Sequence, residues 1–221
     1  MAGITIFAGH YGSGKTTVAV NYALELRRSV GGPVALCDMD IVNPYFRTAD
    51  YADMLAERGV ELISSPYANS NVEAVWYPTQ AARVFDDPDL TSVIDLGGDD
   101  CGALALGRYA GQMRGRGDIR LLMVINPCRP LTRDAESLRQ IRKEIEAAAR
   151  LTFAGVVNNT NLGDNTTAEL ILDYVALIRE MSRALELPVV LTAIPMELEP
   201  ELPADMGRRL DIVRYPNRFG T

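Results

Sequence analysis

The amino-acid sequence predicts an α/β fold in which a mostly parallel sheet of about seven strands is flanked by helices. Short, almost continuously apolar runs alternate with longer amphipathic segments along the 221 residues. Strands that are buried on both faces have such continuous apolar runs, and parallel strands need crossover connections, which helices supply. No linker rich in Pro, Gly or Ser divides the chain, so residues 1–221 are predicted to form a single domain.

The predicted elements follow one another in regular alternation. Seven ranges have the apolar, β-branched character of strands: 3–9, 33–38, 60–65, 91–97, 119–126, 153–159 and 187–194. Six ranges have the amphipathic spacing of helices: 15–29, 48–58, 79–86, 102–114, 131–150 and 166–185. Because open parallel sheets bind ligands at the carboxyl ends of their strands, we expect the functional residues to follow the strands directly.

The composition excludes several classes of protein. Apolar residues make up 48% of the chain and charged residues 23%, as in ordinary soluble domains. The net charge of −7 makes DNA an unlikely partner. Cys37, Cys101 and Cys128 are widely spaced, which predicts neither a zinc site nor a disulfide framework. The sequence shows no signal peptide, membrane-length apolar run or amphipathic membrane anchor, so a cytoplasmic location is expected.

The first strand ends in the stretch FAGHYGSGKTT, which has the spacing of a phosphate-binding loop opening a helix. In such loops, backbone N–H groups and the helix dipole bind phosphate oxygens. We expect Lys15 to reach the β- and γ-phosphates, Thr16 to bind Mg²⁺ and Thr17 to hold the α-phosphate. Lysine is a specific choice here, since Lys143 is the only other one in an arginine-rich chain. The predicted nucleotide-binding residues of this loop are Gly9, His10, Tyr11, Gly12, Ser13, Gly14, Lys15, Thr16 and Thr17.

Carboxylates follow the second and fourth predicted strands. Asp38 and Asp40 lie two residues apart, so that one could steady the water shell of a metal and the other could orient an attacking water; a solvated strand end is the alternative. Asp95 ends an apolar run and suits the second carboxylate on the metal side of a phosphate-loop enzyme. Asp99 and Asp100, which follow, are either switch residues or a helix N-cap.

Asparagines follow the sixth predicted strand, in the stretch GVVNNTN. Asn158 could read a purine edge through the donor and the acceptor of its amide, or it could belong to an Asn-rich turn. The NKxD sequence of guanine-specific phosphate-loop proteins is absent, and no Asp stands three residues after Asn158. The sequence therefore predicts that adenine is preferred over guanine.

Taken in order, these motifs resemble the ParA/MinD-like ATPases, which belong to the SIMIBI class of phosphate-loop proteins. The resemblance covers residues 3–200 and includes the segment INPCRPLTRDAESLRQI. It implies that the ligand is ATP with Mg²⁺, that Lys15 and Asp40 are catalytic, and that Asp40 orients the attacking water. It further implies that Asp38 lies near the metal, that Asp95 is the Walker B carboxylate and that Asn158 contacts adenine.

Three departures from that family qualify the resemblance. His10 stands where these ATPases usually carry a signature lysine, five residues before Lys15, which reaches across an ATP-dependent homodimer. We therefore expect a weaker reliance on dimerisation. The membrane-targeting helix of the MinD branch and the paired cysteines of metal-loading relatives are also missing from the sequence.

The sequence-based hypothesis is a slow ATPase that uses the difference between ATP and ADP to switch shape or partner for an unidentified protein client. Arg47, in the predicted switch segment NPYFRTAD, is either a phosphate or interface contact or an ordinary surface residue. One alternative is a small-molecule kinase or ATP-dependent ligase similar to dethiobiotin synthetase. Another is an ATP-dependent positioning or metalloenzyme-assembly module.

Overall fold

The computed structural model describes residues 2–40, 48–64, 79–97, 100–132 and 134–214. Its strands are β1 (Ile4–Ala8), β2 (Val34–Met39), β3 (Val60–Ile63), β4 (Thr91–Leu96), β5 (Ile119–Ile125), β6 (Phe153–Asn158), β7 (Val189–Pro195) and β8 (Arg209–Ile212). They form one sheet in the order β3-β2-β4-β1-β5-β6-β7-β8, and each pair of neighbours is parallel. The predicted α/β fold with a parallel sheet is confirmed, with one strand more than predicted.

The helices cover both faces of the sheet. They are α1 (Lys15–Ser29), α2 (Ala52–Glu57), α3 (Thr79–Asp86), α4 (Asp100–Gly107), α5 (Ala110–Met113), α6 (Ala135–Ala149) and α7 (Ala168–Ala184). Short 3₁₀ helices cover Thr48–Tyr51, Pro130–Thr132 and Met196–Glu201. Within the described residues no helix is both long and apolar enough to cross a membrane.

Two hydrophobic layers hold the sheet between the helices. Along β1, Ile4, Ile6 and Ala8 belong to one layer, whereas Phe7 belongs to the other. This alternation follows from the two-residue period of a strand, and it explains why the strand reads as continuously apolar. Because neighbouring strands are parallel, their carboxyl ends lie along one edge of the sheet, where the predicted site residues follow them.

Two elements differ from the prediction. Strand β8 was not predicted, because it is only four residues long and lacks the continuous apolar run of the other strands: charged Arg209 and Asp211 alternate with apolar Leu210 and Ile212. The predicted helix 102–114 is divided into α4 and α5, since α4 ends at Gly107, a residue type with low helix propensity.

Candidate nucleotide site

The loop between β1 and α1 adopts a conformation that requires its glycines. Gly9, Gly12 and Gly14 have φ angles of 146°, 75° and 86°, a region that L side chains rarely adopt. A Cβ at Gly9 would lie 2.5 Å from the carbonyl oxygen of Val124 on β5. The loop is therefore folded tightly against the carboxyl end of the sheet.

The amino terminus of α1 is left without a side-chain cap. Gly14 occupies the N-cap position, and no described side chain accepts a hydrogen bond from the first N–H groups of the helix. Uncapped N–H groups at a helix N-terminus carry partial positive charge and attract anions. This end of α1 is suited to bind phosphate.

Lys15 begins α1 and has its charge inside the loop. The residue is only 5% exposed, and its Nζ lies 3.4 Å from the carbonyl oxygen of His10. The Nδ1 atom of His10 lies 2.9 Å from the carbonyl oxygen of Tyr11, which places a proton on that nitrogen as the donor. Tyr11 itself is 59% exposed.

The predicted carboxylates come together on neighbouring strands. Asp38 on β2 is the register partner of Asp95 on β4. Asp95 is fully buried, and its Oδ2 accepts a hydrogen bond of 3.2 Å from the hydroxyl of Thr48. The backbone N–H of Asp40, the residue after β2, donates to Oδ1 of Asp38 at 3.0 Å.

Burial raises the pKa of Asp95 to about 6. The charge of Lys15 and hydrogen bonds from Thr16 and Thr48 lower this pKa, while the nearby charge of Asp40 raises it. Loss of hydration disfavours the ionised carboxylate more than these neighbours favour it. The carboxylate is thus costly to keep charged in the protein alone, and a cation beside it would relieve that cost.

The residues predicted to hold magnesium fit that ion chemically. The buried Oδ1 of Asp95 has no hydrogen-bond partner among the described residues, and the nearby hydroxyl of Thr16 lowers the pKa of this carboxyl group. Carboxylate and hydroxyl oxygens are ligands that Mg²⁺ accepts, usually together with substrate phosphates and water. The described residues contain no group of three or more His, Cys, Asp or Glu that would hold a metal by themselves.

A cavity of about 510 Å³ opens beside the loop. This volume lies within the usual range for small-molecule sites, roughly 300–1,000 Å³. Its wall is formed by the phosphate loop, by the ends of strands and by the loops after β5 and β6. The lining residues are His10, Tyr11, Gly12, Gly14, Lys15, Thr16, Thr17, Asp40, Tyr51, Asn126, Arg129, Pro130, Asn159, Asn161 and Gly163.

Asparagines line the end of the cavity formed by the loops after β5 and β6. Asn159 donates from Nδ2 to the carbonyl oxygen of Ser13 at 2.7 Å and so fastens the phosphate loop. Asn126 joins the two loops by donating to the carbonyl oxygen of Asn161 at 2.9 Å. Asn158 does not line this cavity; its Oδ1 accepts hydrogen bonds from the backbone and hydroxyl of Thr160. The base contact assigned to Asn158 stays a prediction.

Sequence reasoning missed several residues of this site. Thr48 lies in the predicted switch segment but carried no role, and Arg129 lies in the segment quoted for the family resemblance. Asn159 and Asn161 stand in the Asn-rich stretch directly after β6, where the sequence-based prediction gave a role only to Asn158. Arg47 and Asp99, and the side chain of Asp100, lie outside what the structure describes.

Comparisons with known proteins support the fold alone. No family model and no curated protein matches the sequence. Cell division protein FtsY from Thermotoga maritima superposes on 88% of this chain with a TM-score of 0.56 and 19% identity. FlhF complexed with GTP/Mg²⁺ covers 86% with a TM-score of 0.54 and 15% identity. Signal recognition particle 54 kDa protein from Aeropyrum pernix K1, in complex with GDP, covers 85% with a TM-score of 0.53 and 17% identity.

The fold and the loop geometry together define the chain as having a phosphate-loop NTPase fold. At 15–19% identity these solved structures confirm the predicted fold, whereas the SIMIBI class and the ParA/MinD-like family stay predictions. None of these three solved structures is named as a ParA/MinD-like protein. The chain spans 62%, 64% and 40% of the three solved chains, so it matches only part of their length.

Proposed function

We propose that this protein binds ATP with Mg²⁺, hydrolyses it slowly, and uses the difference between ATP and ADP as a switch for a protein client, as ParA/MinD-like ATPases do. One observation carries the proposal. The loop with three glycines at positive φ leads into a buried lysine at the uncapped start of α1, and Asp95 lies nearby with an unsatisfied buried oxygen. This arrangement combines positive charge for phosphates with oxygen ligands for a cation.

In the proposed reaction, Lys15 and the loop N–H groups hold the phosphates in a fixed position. Asp40, on the cavity wall, orients a water whose oxygen attacks the γ-phosphorus in line with the bridging oxygen. The bond from the γ-phosphorus to that oxygen breaks, giving ADP and phosphate, and the water's proton is released. Thr16, Asp38 and Asp95 would hold Mg²⁺, which would supply positive charge to neutralise the phosphate oxygens.

The amide-lined end of the cavity supports adenine as the base. An amide offers a donor and an acceptor, which match the N6 amino group and the N7 acceptor of adenine. Guanine presents an amino group at N2, which a carboxylate acceptor would favour. Among the described residues that line the cavity, Asp40 is the only carboxylate, and it interacts electrostatically with Asp95 at the metal end. We therefore assign ATP, although two of the solved structures hold GTP or GDP.

Calorimetry with Mg·ATP tests nucleotide binding. Lys15→Ala is expected to weaken binding by about 2–5 kcal/mol, because one charge is lost from a partly buried phosphate site. Lys143→Ala is the matched control, since it removes the only other lysine, which is exposed on α6. Equal affinity of the Lys15→Ala variant and the wild type would refute the proposal.

Two further measurements test the finer assignments. Competition of GTP against bound ATP checks the base, and comparable affinity for both nucleotides would overturn the assignment to adenine.

Phosphate release without any added metabolite separates a switch ATPase from a small-molecule kinase or ligase. If phosphate is released only with a metabolite, the switch function is wrong. A pull-down with protein locked in the ATP state then identifies the client.

A further inference from the structure

We propose that Asn21 and Arg214 are positioning residues for the nucleoside end of the ligand. With Val213 they form a brace, defined here as Asn21, Val213 and Arg214, that connects α1 to the loop after β6. The inference rests on the proposed nucleotide site and goes beyond it, because neither Asn21 nor Arg214 lines the cavity.

Asn21 fastens the end of the last strand to the helix that follows the phosphate loop. Its buried amide donates to the carbonyl oxygen of Val213 at 3.2 Å and accepts from the N–H of Val213 at 2.9 Å. The same Nδ2 donates to the carbonyl oxygen of Thr17 at 2.9 Å, and Thr17 lines the cavity. Val213 is thereby held in a fixed position relative to the phosphate side of the site.

Arg214 extends the connection to the other side of the cavity. Its guanidinium donates to the carboxylate of Asp164 and to the carbonyl oxygen of Gly163. Gly163 lines the cavity and has a φ of 63°. Arg214 thus holds a turn that forms part of the cavity wall.

This turn also holds the amide side chain of Asn161, which lines the cavity. The N–H of Gly163 donates to Oδ1 of Asn161 at 2.6 Å, and the hydroxyl of Thr166 donates to the carbonyl oxygen of Gly163 at 2.7 Å. The orientation of the Asn161 side chain therefore depends on the position of Gly163. If Gly163 moves, Asn161 loses its fixed direction toward the ligand.

The location of the turn explains why a brace is needed. The side chain of Asp164 is 98% exposed, so the turn has little packing to hold it. An exposed ion pair contributes little to global stability. It can nevertheless reduce the entropy that the loop loses when a ligand binds, which is how preorganisation raises affinity. The expected effect is on ligand affinity rather than on the unfolding transition.

The test compares two ligands that share phosphates but differ in the nucleoside. Dissociation constants for ATP and for inorganic tripolyphosphate, both with Mg²⁺, are measured by calorimetry on wild type, Arg214→Ala and Arg214→Lys. Arg214→Ala is expected to weaken ATP binding roughly three- to tenfold, the scale of one ordinary net hydrogen bond, and to leave tripolyphosphate binding unchanged. Arg214→Lys is expected to lose less affinity for ATP than Arg214→Ala, since lysine keeps the positive charge but lacks the paired N–H donors of the guanidinium.

Arg209→Ala is the matched control. Arg209 also donates to a carboxylate, of Glu199 at 2.8 Å, and to a backbone carbonyl, of Leu202 at 3.2 Å, but neither of these partners lines the cavity. Its removal should change thermal stability without changing the ratio of the two dissociation constants. Asp164→Asn tests the same contact from the other side, on an exposed residue that tolerates substitution.

The outcomes separate this inference from the proposed function. If wild type binds neither ATP nor tripolyphosphate, the phosphate site itself is refuted. If both bind, but Arg214→Ala and Asp164→Asn leave the ratio of dissociation constants at the wild-type value, the brace is refuted and the site stands. Equal weakening of both ligands would also overturn the brace, because it would show a general effect on the fold.

Discussion

Asp95 carries a buried carboxylate whose protonation should affect the stability of the metal-free protein. Its pKa is raised from 3.8 to about 6 in the folded chain, so the native state retains a proton that the unfolded state loses between these values. The free energy of unfolding therefore falls as pH rises through this window, and the loss persists above it. A shift of this size corresponds to roughly 3 kcal/mol.

Asp95→Asn should remove this penalty. At pH 7.5 in EDTA we expect the variant to unfold at a higher temperature than the wild type, with a gain of about 2–3 kcal/mol. At pH 4 the two should be similar, because the wild-type carboxyl is then protonated. The difference between the proteins isolates Asp95 from other titrating groups. A variant less stable than the wild type at pH 7.5 would show that the carboxylate is well compensated.

Asp40 should matter for turnover more than for binding, since it is proposed to act on water rather than on the phosphates. Asp40→Ala is expected to retain ATP and to lose nearly all hydrolysis, roughly 10²-fold or more, as when a water-orienting group is removed. Asp173→Ala, on the exposed side of α7, is the control. If Asp40→Ala hydrolyses ATP at the wild-type rate, Asp40 does not orient the attacking water, and Asp38 is the next candidate for that role.

At the scale of elements, α4 and α6 pack through a glycine contact that admits no side chain. A Cβ on Gly107 would lie 2.3 Å from the carbonyl oxygen of Ala148. Gly107→Ala should force the helices apart and lower the free energy of unfolding by about 1–3 kcal/mol, as overpacking does. Gly111→Ala in α5 is the matched control, because its added methyl group meets open space. Urea unfolding of both variants checks this, and equal midpoints would contradict the packing argument.

The sequence predicts elements well where local signals and packing agree. Helix α1 follows the prediction 15–29 because a glycine-rich loop fixes its start and an amphipathic pattern continues from it. The same reasoning does not predict strand β8, since two of its four residues are charged and its strand conformation depends on pairing with β7. Similarly, the sequence indicates an amide-rich loop after β6, but only the three-dimensional structure shows that Asn159 rather than Asn158 faces Ser13 and the cavity.

At the scale of the whole molecule, His10 bears on self-association. It lines the cavity at the position where ParA/MinD-like ATPases usually carry a signature lysine. The histidine side chain is shorter than lysine, and its Nδ1 is hydrogen-bonded to the carbonyl oxygen of Tyr11. We therefore expect His10→Ala to keep ATP affinity within a few-fold and to alter hydrolysis modestly. Installing lysine, His10→Lys, should raise ATP-dependent self-association.

Light scattering with and without ATP, on the wild type and both variants, decides the role of His10. Little association of the wild type, with more in His10→Lys, is the expected result. A tight ATP-dependent dimer of the wild type that is lost in His10→Ala would show that the histidine does the work of the lysine.

The contact between Asn21 and Val213 joins residues 192 positions apart. Contacts of such long range slow folding, because the intervening chain must be ordered before they form. During synthesis the phosphate loop and α1 emerge before β8. A nascent chain that stops before Val213 has the complete loop sequence but lacks the partner that fixes its helix. Nucleotide should therefore stabilise a chain that includes Val213 by mass action but give little help to a nascent chain that stops before it.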